Sequence, residues 1–238
     1  MNYTYLDCLA MFGVGGAHPG GLRLTKNILS SLDLDETKTV LDVGCGTGQT
    51  SAYIAENYRC KVISLDSNQI MLEKATKRFS ERQLPIEVKH GRTENLPLDE
   101  NFVDVVLSES VTAFTDIPLT IQEYKRVLKQ GGVFIAVEMV LETPLPKEDV
   151  KSVIDFYGVH QLLTEQEWYD LLQNAGYKQI EIEKVKTEFD KNDVDNAADF
   201  SLSENIDGGL YEILAEHERL TKTFQDILGF RVFKGYIS

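Results

Sequence analysis

Hydrophobic residues along this chain gather in short unbroken runs, and between the runs apolar positions recur every three or four residues. The runs "TVLDVG", "CKVISLD", "FVDVVLS" and "VFIAVEM" read as strands buried on both faces, since an uninterrupted apolar run leaves neither face for water. "PIEVKH" is a further strand, with Ile86 and Val88 on one face. The intervening segments read as helices. Leu22 to Leu32 precedes the first strand, and "TSAYIAENY" follows it. Met71, Ala75 and Phe79, at i, i+4 and i+8, lay an apolar stripe along the next helix. Ile121, Tyr124 and Leu128 mark another, closed by Gly131 and Gly132. Strands that alternate with helices predict an α/β fold, a parallel sheet covered on both faces.

The last third is patterned differently. "TEQE" at 164–167 is a capping box that opens a helix through Trp168, Leu171 and Leu172 to Gly176, and "QIEIEKV" follows as a strand. The acidic stretch "DKNDVDNAADFSLSENIDGG" reads as loop or solvated helix surface, because its carboxylates lack the spacing of an EF-hand. Leu210, Ile213, Leu214, Leu220, Phe224 and Leu228 predict a helix capped by Gly229, and "FRVFKGYI" a closing strand. Without repeats or linkers, residues 1–238 read as one domain. Residues 1–32 are expected to form an N-terminal helical cover, and 190–228 a helical insertion before the last strand.

Composition narrows the function. At 238 residues and 42% hydrophobic content the chain can build a full core. A formal net charge of -14 opposes attraction to phosphate backbones and anionic lipid, which argues against nucleic-acid partners and membrane insertion. The start, "MNYTYLDCLAMFG", lacks a basic region and a long apolar core, so the expected location is the cytoplasm. Cys8, Cys45 and Cys60 show no CxxC spacing, so neither a disulfide framework nor a zinc site is expected.

Two glycine-rich stretches compete for a ligand. "FGVGGAHPGG" has no buried strand before it and no acid at the right distance after it. "VLDVGCGTG", residues 40–48, follows the first buried strand directly, where a parallel sheet places its ligand crevice. Glycines there let a ligand approach the main chain. Asp66 ends the second strand, where a carboxylate accepts both hydroxyls of a ribose.

Strand, GxGxG, helix, strand and acid in this order resemble the class I methyltransferases that use S-adenosylmethionine, from about residue 20 to about residue 185. "FVDVVLSESV" resembles that family's fourth-strand motif, and "EYKRVLKQGGVFIAVE" its helix, GG turn and fifth strand. In motif style the quinone-pathway ring methyltransferases are nearest. The resemblance implies a Rossmann-like, doubly wound, mostly parallel seven-stranded sheet with an antiparallel last strand and helices on both faces. It implies that Asp42, Gly44, Cys45, Gly46 and Gly48 cradle the methionine part and ribose, that Asp66, with Ser67 and Met71 beside it, binds the ribose, and that Glu109 borders the site. Where the family often carries an acid toward the adenine, this chain has Arg92 in "HGRTENLPL". A guanidinium cannot accept from the adenine amine, so contact there falls to stacking or to the peptide groups of Arg92 and Thr93.

A nicotinamide-dependent oxidoreductase is the competing reading. Its loop prefers GxGxxG, and Asp42 would repel a pyrophosphate, whereas the methyl donor carries an ammonium and a sulfonium. A second alternative is a non-catalytic S-adenosylmethionine-binding or regulatory protein. The sulfonium already activates the methyl group, so alignment and exclusion of water come first and a general base is optional. Glu109 and His18 are the candidate catalytic groups, although Glu109 also suits a cap or a cofactor contact, and His18 in "HPGG" the start of a helix. Tyr5, His18, Tyr157 and His160 are candidates for the substrate, with packing on the sheet edge the alternative for Tyr157 and His160 and core packing the alternative for Tyr5. Tyr3, Tyr5 and Phe12 suit either an aromatic lid over the sulfonium or the core. "SESV" stands where base-methylating enzymes carry "NPPY", which points to a small-molecule acceptor. The first glycines, Gly13 to Gly21, then read as a hinge and cover.

Overall fold

In a computed structural model, which describes residues 3–185 and 199–237, the apolar runs form one seven-stranded sheet. The chain begins with helix α1 (Tyr5–Phe12), a two-residue strand β1 (Val14–Gly15) and helix α2 (Gly21–Ser30). Strand and helix then alternate as β2 (Thr39–Val43), α3 (Gln49–Tyr58), β3 (Lys61–Asp66), α4 (Gln69–Glu81), β4 (Glu87–His90), β5 (Val103–Glu109), α5 (Ile117–Val127) and β6 (Leu128–Leu141). Helices α6 (Lys147–Tyr157) and α7 (Glu165–Ala175) lead to β7 (Lys178–Glu183). Beyond residue 198 come β8 (Asp199–Phe200), α8 (Gly208–Thr223) and β9 (Leu228–Tyr236). The part of the predicted insertion at 190–198 lies outside the described residues.

The sheet order is β4-β3-β2-β5-β6-β9-β7, with the first five strands parallel and β9 antiparallel to both neighbours. This is the doubly wound sheet with an antiparallel last strand that the sequence implied. Alternation along each strand sends side chains to two helical layers. Leu41, Val43, Ile63, Leu65, Val106 and Phe134 meet Ile121 and Tyr124 of α5 and Trp168 of α7. Their neighbours Val40, Val62, Val105, Leu107 and Ile135 meet Leu24, Ile28 and Leu29 of α2 and Ile54 of α3. Helix α2 is therefore part of the sheet's helical layer.

Helix α7 begins on the predicted capping box, in which Thr164 and Glu167 satisfy each other's backbone N–H, and ends on left-handed Gly176. Two boundaries differ from the sequence reading. Helix α5 stops at Val127, and Gly131 and Gly132 lie within β6 instead of closing the helix. They fall in a bulge: Val103 pairs with Leu128 but Val105 with Val133, and Gly131 adopts φ 75°. Helix α8 ends at Thr223, so Leu228 and Gly229 are not its last turn and cap. Both enter β9, where pairing with Leu141 and Val140 of β6 supplies ladder hydrogen bonds.

The N-terminal segment and the end of the insertion meet. Val14 and Gly15 pair with Phe200 and Asp199, and Cys8 and Phe12 of α1 pack on Leu210 of α8. Helix α4 grips this assembly. Lys74 Nζ donates to the carbonyls of Met11, at 3.3 Å, and Ser201, while Arg78 pairs with Asp199 and donates to the carbonyl of Thr47, at 2.8 Å.

Candidate active site

Strand β2 has β3 on one side and β5 on the other, so the loops that leave β2 and β5 turn apart and open a crevice at the strands' C-terminal ends. A cavity of about 430 Å³ lies there, within the size range of small-molecule sites. The loop after β2, Gly44 to Gly48, borders it, and its three glycines all have positive φ. Gly44 is required by close approach, since a Cβ there would stand 2.4 Å from the Val111 side chain. A Cβ on Gly46 would meet nothing within 4 Å, and Gly46 lines the cavity, so its main chain is bare to a ligand.

Asp66 closes one side of that loop. Its Oδ2 accepts from Gly46 N at 2.9 Å and its Oδ1 from Asn68 N at 2.8 Å, which leaves lone pairs on both oxygens for a diol. Burial raises its carboxyl above the usual range. Ser67, Asn68 and Met71, at the start of α4, line the same wall, and Asn68 caps α4 by accepting from Ile70 N and Met71 N. Arg92, Thr93 and Glu94, which follow the neighbouring strand β4, also line the cavity. Arg92 is largely exposed and pairs with Glu94 at 2.8 Å, while buried Thr93 lies 3.2 Å from the Thr120 hydroxyl.

The opposite end is built around Glu109, the last residue of β5. Thr25 Oγ1 donates to its Oε1 at 2.5 Å, Thr50 Oγ1 donates to its Oε2 at 2.7 Å, and His18 Nε2 lies 3.5 Å from Oε1. Beneath it Asp42 is 2% exposed and accepts from Ser51 Oγ at 2.5 Å, which in turn accepts from Ser64 Oγ. Burial, and after it the charge of Glu109, pushes the Asp42 carboxyl up to about 8. Cys45 is buried in the loop and its thiol is raised by burial, which keeps it from acting as a thiolate.

The Asp42 shift has a measurable sign. A folded-state value above the unfolded value of about 3.9 stabilises the fold at low pH, and that stabilisation is lost as pH rises through about 8. Glu138, pushed up to about 7 by burial, acts in the same direction. The free protein is therefore expected to melt at lower temperature as pH rises from about 5 to about 8, and Asp42→Asn to show a smaller decline. Melting curves of the two proteins across that range check it, and parallel curves would contradict it.

The structure brings Asp42, Gly44, Cys45, Gly46, Asp66, Ser67, Met71, Arg92, Thr93, Glu109 and His18 around one cavity. Gly48 sits at the loop's outer end, where a Cβ would stand 2.4 Å from the Phe79 ring. Three substrate candidates are not at the cavity. Tyr5 stacks edge-on against Tyr157 at 4.9 Å, and the Tyr157 hydroxyl is 2.9 Å from His217 Nδ1, so both tyrosines serve an aromatic cluster between α1, α6 and α8. His160 is exposed in the turn after α6 and does not line the cavity. Of the proposed aromatic lid, Phe12 is buried against Tyr211 and Leu210, and neither it nor Tyr3 lines the cavity.

Other residues carry more than their local sequence suggests. Thr25 and Thr50 reach Glu109 across 84 and 59 positions, a separation no motif encodes. Glu138, 1% exposed on β6, accepts from the N–H groups of Thr112 at 2.8 Å, Val111 at 3.3 Å and Ala113 at 3.4 Å. It fixes the turn after β5, where Ser110 holds φ 58° and Val111, Phe114 and Thr115 line the cavity. Among the described residues no group of His, Cys, Asp and Glu side chains is arranged to hold a metal ion. No helix among the described residues is long and apolar enough to cross a membrane.

This sheet order, with a glycine loop after β2 and an acid ending β3, defines an S-adenosylmethionine-binding methyltransferase fold. The fit is chemical as well as topological, because carboxylates that suit a cation and a diol surround a bare main chain. A family model described as "Methyltransferase domain" matches residues 41–136. The uncharacterised methyltransferase YodH of Bacillus subtilis is 37% identical over 232 residues, covering 98% of each chain. The chain belongs to the class I S-adenosylmethionine-dependent methyltransferases. It is also 28% identical to a phosphoethanolamine N-methyltransferase of Triticum aestivum over 75% of its own length, but spans only 35% of that enzyme. Among solved structures, phosphoethanolamine N-methyltransferase 2 of Haemonchus contortus, in complex with S-adenosylmethionine, superposes with a TM-score of 0.79 at 18% identity. That match covers 99% of this chain and 57% of the other.

Proposed function

We propose that this protein methylates a small molecule and that Asp66, the bare main chain of Gly46 and the Glu109–His18 end divide the cavity between cofactor and acceptor. One observation carries the reading: the Asp66 carboxylate, with lone pairs free for a diol, lines the same cavity as the Glu109 carboxylate and the His18 imidazole. Bound there, S-adenosylmethionine supplies a methyl group already activated by its sulfonium. Asp66 accepts the ribose hydroxyls, Met71 and the Arg92–Thr93 backbone flank the base, and the Gly44–Gly48 loop carries the methionine part. Asp42 and Glu109 together favour its ammonium, since two buried carboxylates without a cation between them are costly.

Glu109, with the His18 ring beside it, then faces the acceptor as the group able to hold the proton that an amine or hydroxyl releases when methylated. Val14, Gly16 and Ala17, from the N-terminal glycine stretch, roof the cavity and exclude water. We take the segment before α2, with β8 and α8, as a cover, supported by the β1–β8 pairing beside the cofactor loop; α2 itself belongs to the sheet's helical layer. Among the described residues Arg92 is the single Lys or Arg side chain lining the cavity, and its guanidinium, 72% exposed, is turned to Glu94. That lining favours a neutral or cationic acceptor over a phosphorylated one. The net charge of -14 speaks against nucleic acid, and three buried free cysteines suit the cytoplasm.

The test is transfer of label from methyl-labelled S-adenosylmethionine into a metabolite extract, with nucleic acid and protein fractions in parallel. Label is expected in the small-molecule fraction. Cofactor binding without transfer to any fraction would favour a non-catalytic sensor, and label in nucleic acid or protein would overturn the acceptor class.

A further inference from the structure

Thr25 is fully buried on α2 and does not line the cavity, yet its one hydroxyl touches both polar groups at the cavity's acceptor end. The hydroxyl proton is committed to Glu109, because Oε1 is 2.5 Å away and the alternative acceptor, the Gly21 carbonyl one turn back, is 3.4 Å away. The Thr25 oxygen therefore presents a lone pair to His18 Nε2 at 3.3 Å, and the proton on that contact comes from the ring. His18 Nδ1 faces the Pro19 carbonyl at 3.2 Å, another group that only accepts. The hydrogen-bond pattern is complete when both ring nitrogens donate, with Thr25 as the bridge between ring and carboxylate. The second carboxylate oxygen is held separately by Thr50.

We propose that Thr25 is a positioning residue that ties His18 and Glu109 into one proton-holding pair at the cavity wall. The His18 backbone is fixed by its own turn: its N–H donates to the Gly16 carbonyl at 2.8 Å, its carbonyl accepts from Gly21 N at 3.1 Å, and Pro19 follows it. What the Thr25 hydroxyl sets is the orientation of the ring. The inference rests on the methyltransferase reading only for its purpose; the coupling itself is a property of the free protein. The titratable groups facing His18 are Glu109 on β5 and, behind it, Asp42 on β2.

The experiment is nitrogen-15 NMR of the imidazoles across a pH series. The full chain contains 4 histidines, so His18 is assignable by a single substitution. In wild type and Thr25→Ser the His18 signals are expected to show both nitrogens as donors. Thr25→Val is expected to shift them toward a single tautomer, with the other three histidines unchanged. Thr25→Ala repeats the deletion with less bulk if the valine variant does not fold. His18 signals unmoved by loss of the hydroxyl, or not restored by serine, overturn the proposal. A parallel titration with S-adenosylhomocysteine separates the two claims: failure of the wild type to bind it removes the proposed function and leaves the imidazole result standing on its own.

Discussion

Replacing Asp66 by alanine is expected to weaken S-adenosylhomocysteine binding roughly 10- to 150-fold. The loss corresponds to a charge-assisted hydrogen-bond pair of about 1.5–3 kcal/mol. Both Asp66 oxygens already accept one backbone N–H, from Gly46 and Asn68, so the carboxylate is held in place before any ligand arrives. A pre-oriented acceptor pair loses little freedom when a diol docks, which is why its removal should be felt in affinity. The same variant should fold well, because burial penalises the Asp66 charge in the free protein. Calorimetric titration of both proteins decides the matter, and equal affinities would show that the ribose lies elsewhere.

Trp168→Ala should do the reverse, costing about 3–5 kcal/mol of stability while leaving cofactor affinity unchanged below the melting transition. Trp168 is 1% exposed, donates from Nε1 to the Met139 carbonyl at 3.1 Å and packs on Phe233 of β9 with ring centroids 5.6 Å apart. Its loss opens a cavity between α7 and the antiparallel end of the sheet and removes one donor from the Met139 carbonyl. For a domain of this size the midpoint should fall by roughly 6–20 °C, given about 2–4 °C per kcal/mol. A denaturant or thermal melt measures this, and a fall in cofactor affinity at low temperature would mean that the two ends of the sheet are coupled.

The strand–helix alternation, the cofactor loop and Asp66 were legible because their chemistry is local. A buried strand announces itself by composition, and the glycines answer to φ angles and close approach within a few residues. The acceptor end was not legible to the same degree. Glu109 and His18 could be named as candidates, but their partners Thr25 and Thr50 are ordinary helix residues until the sheet brings three elements together. Tyr157 and His160 sit in a segment whose place in sequence suggests the substrate, yet the pull of an aromatic cluster with Tyr5 and His217 draws Tyr157 into the core. Leu228 and Gly229 continued a helical period by chance, and long-range pairing with β6 outweighed it.

The central claim is that the cavity between the β2 and β5 loops holds S-adenosylmethionine. Calorimetric titration of the full chain with S-adenosylhomocysteine, and separately with NAD, tests it most directly. One saturable site for S-adenosylhomocysteine, weakened in Asp66→Ala, and no heat with NAD is the predicted result; binding of NAD, or no binding of S-adenosylhomocysteine, would contradict it.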